Sequence, residues 1–244
     1  MAHQPTSTIL ITGGNGSLGS AIAVAITKSQ PGKHHLVLTA RSLTDAPTIQ
    51  TSSTLSSLGA SFEFQLLDLS SLENVRAFAS TIIDKIARKE LPPFAGGGII
   101  HSAARSTYAK GGVTKDGWND MYGVNVLAPI LLEMSLLPVL DGALIVNVSS
   151  AAHSLGVVNY FSDNKKGTEY VDGETVGLAE SLKRYGSCKL LVLMAGYALQ
   201  RHLNTVRGPD MKRNECEADS DTRSQKGISK LWAQTQAVCL ENLV

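Results

Sequence analysis

Short apolar, β-branched runs alternate along this chain with longer stretches whose apolar residues recur every third or fourth position. The runs read as strands and the periodic stretches as helices, and their alternation predicts a parallel sheet with helices on both faces. Ile9-Leu10-Ile11 predicts strand one, His35 to Thr39 strand two, Phe62 to Leu67 strand three, Gly98-Ile99-Ile100 strand four and Ala143 to Val148 strand five. Ala21, Ile22, Ala25 and Ile26 predict a helix from about Ser17 to Lys28. Val75, Phe78, Ile82 and Ile86 predict another after strand three, and Met121, Val124, Leu127, Leu131 and Leu136 a long one before strand five. Strands one, two and five are apolar throughout, the pattern of strands buried on both faces.

After strand five the pattern changes. Ser154 to Lys183 is polar and loop-like, and a helix is expected from about Ser181 to Leu203. Gly208 to Gly227 holds nine charged residues and Met211 as its large apolar one, the composition of an exposed linker or disordered stretch. Ile228 to Val244 fits a short amphipathic helix. The expected organisation is therefore one domain over residues 1–207 and an atypical polar tail over 208–244. No buried-type strand follows Asn204, so the sheet is expected to end at strand five with an open edge. The apolar residues Leu190, Leu191, Leu193 and Met194 of the last helix would be exposed with it.

Composition narrows the function. The 244 residues, 43% of them hydrophobic, suffice for one large α/β domain with a substantial core. A net charge of +1 argues against nucleic acid or a membrane surface as partner. The three cysteines, Cys188, Cys216 and Cys239, are too scattered for a disulfide framework or a metal site, so a reducing, cytoplasmic compartment and no metal are expected. Met1 to Thr8 has no apolar leader pattern. No apolar run is expected to be long enough to span a bilayer; the longest, Leu190 to Ala195, is interrupted at Gly196 and reads as a buried helix segment.

Two motifs carry chemistry. Thr12-Gly13-Gly14-Asn15-Gly16-Ser17-Leu18-Gly19 joins strand one to the first helix. Glycines there let the turn bend and let backbone N–H groups reach a pyrophosphate at the helix N-terminus. Gly13, Asn15, Gly16, Leu18 and Gly19 are the expected cofactor contacts. Strand two ends in Thr39-Ala40-Arg41-Ser42, with no acid to hold a ribose 2′-hydroxyl. Arg41 is placed instead for a 2′-phosphate, which favours NADP(H). Asp68 and Leu69, after strand three, are placed for the adenine, although Asp68 equally suits a helix-dipole role. The second motif, Tyr185-Gly186-Ser187-Cys188-Lys189, puts a phenol and an ammonium on one helix face.

These residues, with Asn125 in Tyr122-Gly123-Val124-Asn125-Val126 and Ser150 in Asn147-Val148-Ser149-Ser150, resemble the short-chain dehydrogenase/reductase family from about Thr8 to Leu203. Ser150-Ala151-Ala152-His153 looks like the retinol-dehydrogenase-like branch, and fungal secondary-metabolite reductases are similar in texture. The resemblance implies a Rossmann-type doubly wound parallel sheet and an NADPH-dependent interconversion of a ketone and a secondary alcohol. Asn125, Ser150, Tyr185 and Lys189 would be catalytic, with Asn125, Tyr185 and Lys189 also touching cofactor. A small hydrophobic ketone or alcohol would be the substrate, and a homodimer through the Tyr/Lys helix and the one before it the assembly. Lys189 would favour the phenolate of Tyr185, and Ser150 would hold the substrate oxygen.

Three departures qualify the resemblance. Ser17 replaces the middle glycine of the family's commonest turn. His101-Ser102-Ala103-Ala104 stands where the family has Asn-Asn-Ala-Gly. The sixth strand and its Pro-Gly turn are not found after Asn204. The competing expectation is thus a weak or inactive form that binds nucleotide or a partner without turnover. His101 and His153 read as structural histidines.

Overall fold

A computed structural model of the chain describes residues 4–106, 112–161 and 177–207. Five strands, β1 (Ser7–Thr12), β2 (His34–Ala40), β3 (Ser61–Leu66), β4 (Gly98–His101) and β5 (Leu144–Asn147), form one parallel sheet in the order β3-β2-β1-β4-β5. Each predicted strand is present to within one or two residues. The helices are α1 (Ser17–Ser29), α2 (Ala46–Ser57), α3 (Leu72–Ala87), α4 (Asp120–Tyr122), α5 (Ala128–Leu136) and α6 (Leu178–Arg207).

Side-chain alternation splits the sheet into two cores. Leu10, Val37 and Ile99 point to one face, where Val75, Phe78 and Ile82 of α3, Leu131 of α5 and Leu191 of α6 meet them. Ile9, Ile11, Leu36 and Leu38 point to the other, against Ala23 of α1 and Leu55 of α2. The structure is a Rossmann-type doubly wound sheet, as the alternation of runs predicts.

Helix α2 has no counterpart in the sequence reading. Its stretch Ala46-Pro47-Thr48-Ile49-Gln50-Thr51 is rich in hydroxyl residues and carries little apolar periodicity. Local chemistry starts it instead: Asp45 accepts a bond from Thr48 N, and Pro47 stands in its first turn.

The long helix before β5 is broken. Between α4 and α5, Gly123–Leu127 form a π turn with Asn125 at its centre. Asp120–Val139 as a whole is long and apolar enough to cross a membrane by length and composition, which corrects the reading that no run reaches that length. It is a core helix here: Leu127, Leu131, Leu132 and Leu136 are wholly buried in the first core.

Strand β5 departs from expectation most clearly. Ile145 faces the first core, but Leu144 and Val146 face the other way and are 53% and 37% exposed. An apolar run predicts burial on both faces; here α1 and α2 stand over the other side of the sheet, and nothing described covers β5 on that face. Among the described residues β5 pairs with β4 alone, leaving the open edge the sequence predicts. The Tyr/Lys helix is not what is exposed: Leu191 and Met194 are 1% and 5% exposed, and Leu190 and Leu193 are half-buried. The expected features of residues 208–244 lie outside the described residues, as does most of the polar stretch before α6.

Candidate active site

The turn after β1 is built by steric necessity at a few positions. Gly13 holds φ +67°, a left-handed conformation that favours glycine. A Cβ on Gly19 would lie 2.3 Å from the Gly13 carbonyl oxygen, and one on Gly14 would lie 2.7 Å from Leu38. Gly14 is a requirement that the motif spacing does not reveal. Gly16 is more tolerant, since its Cβ would meet Gly13 O at 3.2 Å. Helix α1 then starts at Ser17 with no side-chain cap, so its first backbone N–H groups face the turn without a side-chain acceptor. Asn15 is turned outward to Asp45 and Thr48, at 3.2 and 3.0 Å. The opposite wall is pinned by Ser102 Oγ donating to Thr12 O at 2.6 Å and Ala103 N donating to Thr12 Oγ1 at 3.3 Å. Ser102 thus makes its own bond where the family motif has asparagine.

A cleft of about 560 Å³ opens over this turn. Gly13, Asn15, Gly16, Leu18, Gly19, Arg41, Asp68 and Leu69 all line it, so the structure gathers every cofactor contact expected outside the catalytic group. Arg41 is exposed at the rim. Asp68 is already engaged: Oδ1 accepts from Ser70 N and Oγ at 2.9 and 2.6 Å, and Oδ2 accepts from Lys115 Nζ at 2.8 Å. Burial opposes its ionisation, but these bonds prevail and hold its carboxyl at about 2. It does not cap α3, whose cap is Ser71. Ser102, Ala103, Ala104, Arg105 and Val124 complete the far wall. The sequence reading missed Arg105; its place after the small residues of β4 is the one signal available.

None of the four expected catalytic residues lines the cleft: Asn125 follows the wall residue Val124 in the chain, Tyr185 and Lys189 stand together on α6, and Ser149, next to Ser150, bonds the Lys189 carbonyl. Asn125, on the π turn, clamps the Arg105 backbone from both sides: Oδ1 accepts from Arg105 N and Nδ2 donates to Arg105 O, each at 2.7 Å. The Arg105 guanidinium in turn pairs with the buried Asp120. Lys189 is buried, and its Nζ donates to Val148 O at 2.7 Å while lying 5.6 Å from the Tyr185 ring centroid. Burial pulls its ammonium below the usual lysine value, with the Cys188 thiolate form acting weakly the other way. Burial also pushes the Cys188 thiol up, so that thiol stays protonated.

Ser150 accepts from Ala152 N at 3.2 Å and caps a 3₁₀ turn over Ala151–Leu155. The cap uses an oxygen lone pair and leaves the hydroxyl proton free to donate. Ser149 instead donates to Lys189 O at 3.4 Å. The turn sits hard on α6: a Cβ on Gly186 would lie 2.2 Å from Ala152 O, and one on Gly156 2.7 Å from Gly186 O. That contact brings the segment after Ser150 against the helix bearing Tyr185. His153 is a local partner of Ser150 O at 2.7 Å. Among the described residues no group of three or more His, Cys, Asp or Glu could hold a metal.

The family model of the KR domain matches residues 7–173, more than half of the chain. The chain belongs to the short-chain dehydrogenase/reductase family. Within this family it is 28% identical over 209 residues to human dehydrogenase/reductase SDR family member 13, covering 84% of this chain and 50% of that protein. It is 31% identical over 138 residues to short-chain dehydrogenase iccH of Talaromyces variabilis, covering 55% of this chain and 37% of that one. The chain thus spans about half the length of the curated relatives it matches, or less. Among solved structures, NADPH-bound carbonyl reductase from chicken fatty liver superposes with a TM-score of 0.57 at 17% identity, over 84% of this chain and 74% of that one. An N-terminal ketoreductase from the macrolactin assembly line does so at 0.56 and 22%, over 84% and 36%. At these identities the likeness is one of fold.

Proposed function

We propose that this short-chain dehydrogenase/reductase interconverts a ketone and a secondary alcohol on a small hydrophobic metabolite, with NADP(H) as cofactor. The observation that carries the reading is the glycine-lined cleft together with the Tyr185–Lys189 pair on α6, a helix that packs against the π turn bearing Val124 of the cleft wall. The residues fit a dinucleotide: Gly13, Gly16 and Gly19 line the cleft without side chains, and α1 presents uncapped N–H groups. Arg41 at the rim suits a 2′-phosphate. Bound there, the nicotinamide would supply or accept the hydride.

The rest falls to the chain. Tyr185 exchanges a proton with the substrate oxygen, and the buried Lys189 ammonium favours the phenolate. Ser150 donates its hydroxyl proton to the same oxygen. Asn125 fixes the Arg105 backbone and with it the wall between cleft and catalytic group. A domain over 1–207, a cytoplasmic setting, a homodimer and a place in secondary metabolism extend this reading from the sequence resemblance.

The open edge and exposed Leu144 and Val146 of β5 favour a second reading, nucleotide binding with weak or no turnover. One assay separates the two: NADPH oxidation with a panel of small hydrophobic ketones, and NADP⁺ reduction with the matching alcohols, for wild type and Tyr185→Phe. Turnover that Tyr185→Phe abolishes supports the enzyme. Tight NADPH binding with no turnover on any panel member supports the second reading.

A further inference from the structure

Behind the catalytic group lies a buried polar cluster that the mechanism above leaves unused. Glu133 on α5 and His101 at the end of β4 are 3% and 4% exposed, with carboxylate oxygen and Nε2 3.3 Å apart. Asn147, the register partner of His101 at the end of β5, donates Nδ2 to the same Glu133 oxygen at 3.0 Å. A carboxylate sealed from water costs several kcal/mol unless it is paired and hydrogen-bonded. The Asn147 amide supplies that hydrogen bond.

From this cluster the backbone leads directly to the Tyr/Lys pair. Val148 follows Asn147; its N–H donates to His101 O at 3.1 Å and its carbonyl accepts the Lys189 ammonium at 2.7 Å. We propose that Glu133, packed against His101, is a positioning residue for Lys189. By gripping the Asn147 amide, Glu133 fixes the Val148 carbonyl that holds the ammonium beside Tyr185. The other titratable group acting on Lys189 is Cys188 on α6, kept protonated by burial; Asp120 on α4 acts on Cys188 and is paired with Arg105. The proposal rests on the Tyr185–Lys189 reading, and its test needs neither substrate nor cofactor.

The test follows formation of the Tyr185 phenolate by ultraviolet difference absorbance, each variant being compared with the same variant carrying Tyr185→Phe. Glu133→Leu and Asn147→Leu should raise the titration midpoint by about one pH unit, a tenfold loss of acidity. Glu133→Gln, which keeps an acceptor for Asn147, should change the acidity by no more than about twofold. A midpoint that stays put in Asn147→Leu overturns the proposal, as does a shift in Glu133→Gln as large as in Asn147→Leu. Should Glu133→Leu fail to fold, Asn147→Leu decides, because the Asn147 side chain is only partly buried. A chain that gives the expected pattern yet reduces no ketone would refute the proposed function and leave this inference standing.

Discussion

The two ends of the sheet are built to different standards. Around β1 and β2, both faces are covered, strand residues are nearly all buried, and steric contacts under 3 Å dictate glycine. Around β5, among the described residues, one face is bare, the edge is open, and the expected catalytic side chains Ser150 and Lys189 hold their places through hydrogen bonds to backbone. The first region is held by packing, which is cooperative and costly to disturb. The second is held by polar contacts, each worth only about 0.5–1.5 kcal/mol net. Cofactor binding should therefore survive changes that ruin the chemistry.

The largest effect should come from the polar region. Tyr185→Phe should lower turnover by about 10²–10⁴-fold, the range for general acid–base catalysis, with NADPH affinity nearly unchanged. Steady-state rates and fluorescence titration of NADPH check both halves, and comparable loss of affinity would erase the contrast. The stability comparison comes next. Ile99→Ala, at a wholly buried site, should cost about 2–5 kcal/mol, while Val146→Thr on the bare face should stay within about 0.5 kcal/mol, as urea unfolding would measure. Similar costs would mean that something covers β5 in solution. Gly186→Ala forces a Cβ into the Ala152 carbonyl, so it should cost about 1–3 kcal/mol and reduce turnover more than NADPH affinity. Arg41→Ala should weaken NADPH about tenfold, near 1.4 kcal/mol, and leave NADH untouched.

The smallest effect is a pH dependence. The folded Asp68 carboxyl lies at about 2, below its unfolded value, so its contribution to stability is present above the unfolded value and lost as pH falls through the folded one. Lys115→Ala should flatten this acid limb of the stability curve, its difference from wild type being present at neutral pH and vanishing as pH falls through the folded value, as urea unfolding at a series of pH values would measure.

Local patterns made the first region legible. Strand runs and glycine spacing report packing directly, and each strand was within reach of its residues alone. Helix α2 was not, because a cap and a proline start it and Thr and Ser line it. In the second region, β5 reads as a buried strand, yet its burial depends on neighbours the run does not contain. The resemblance names Asn125, Ser150, Tyr185 and Lys189 as the expected catalytic residues, but not the Lys189–Val148 bond or the Arg105 clamp. His101 and Glu133 are far apart in the chain and meet only when β4, β5 and α5 are in register, which no local spacing can disclose.

The π turn at Asn125 changes how the helix around it must be counted. A π turn closes hydrogen bonds one residue later than an α turn. A helical wheel drawn through Asp120–Leu136 at about 100° per residue therefore falls out of phase after Leu127. Deleting a single residue from Gly123–Leu127 would remove the residue that the π turn absorbs, let an unbroken α-helix form, and keep Glu133 facing β4 and β5 while the Asn125 clamp on Arg105 is lost. The extra residue is taken up within this one turn, and everything downstream on α5 keeps its facing.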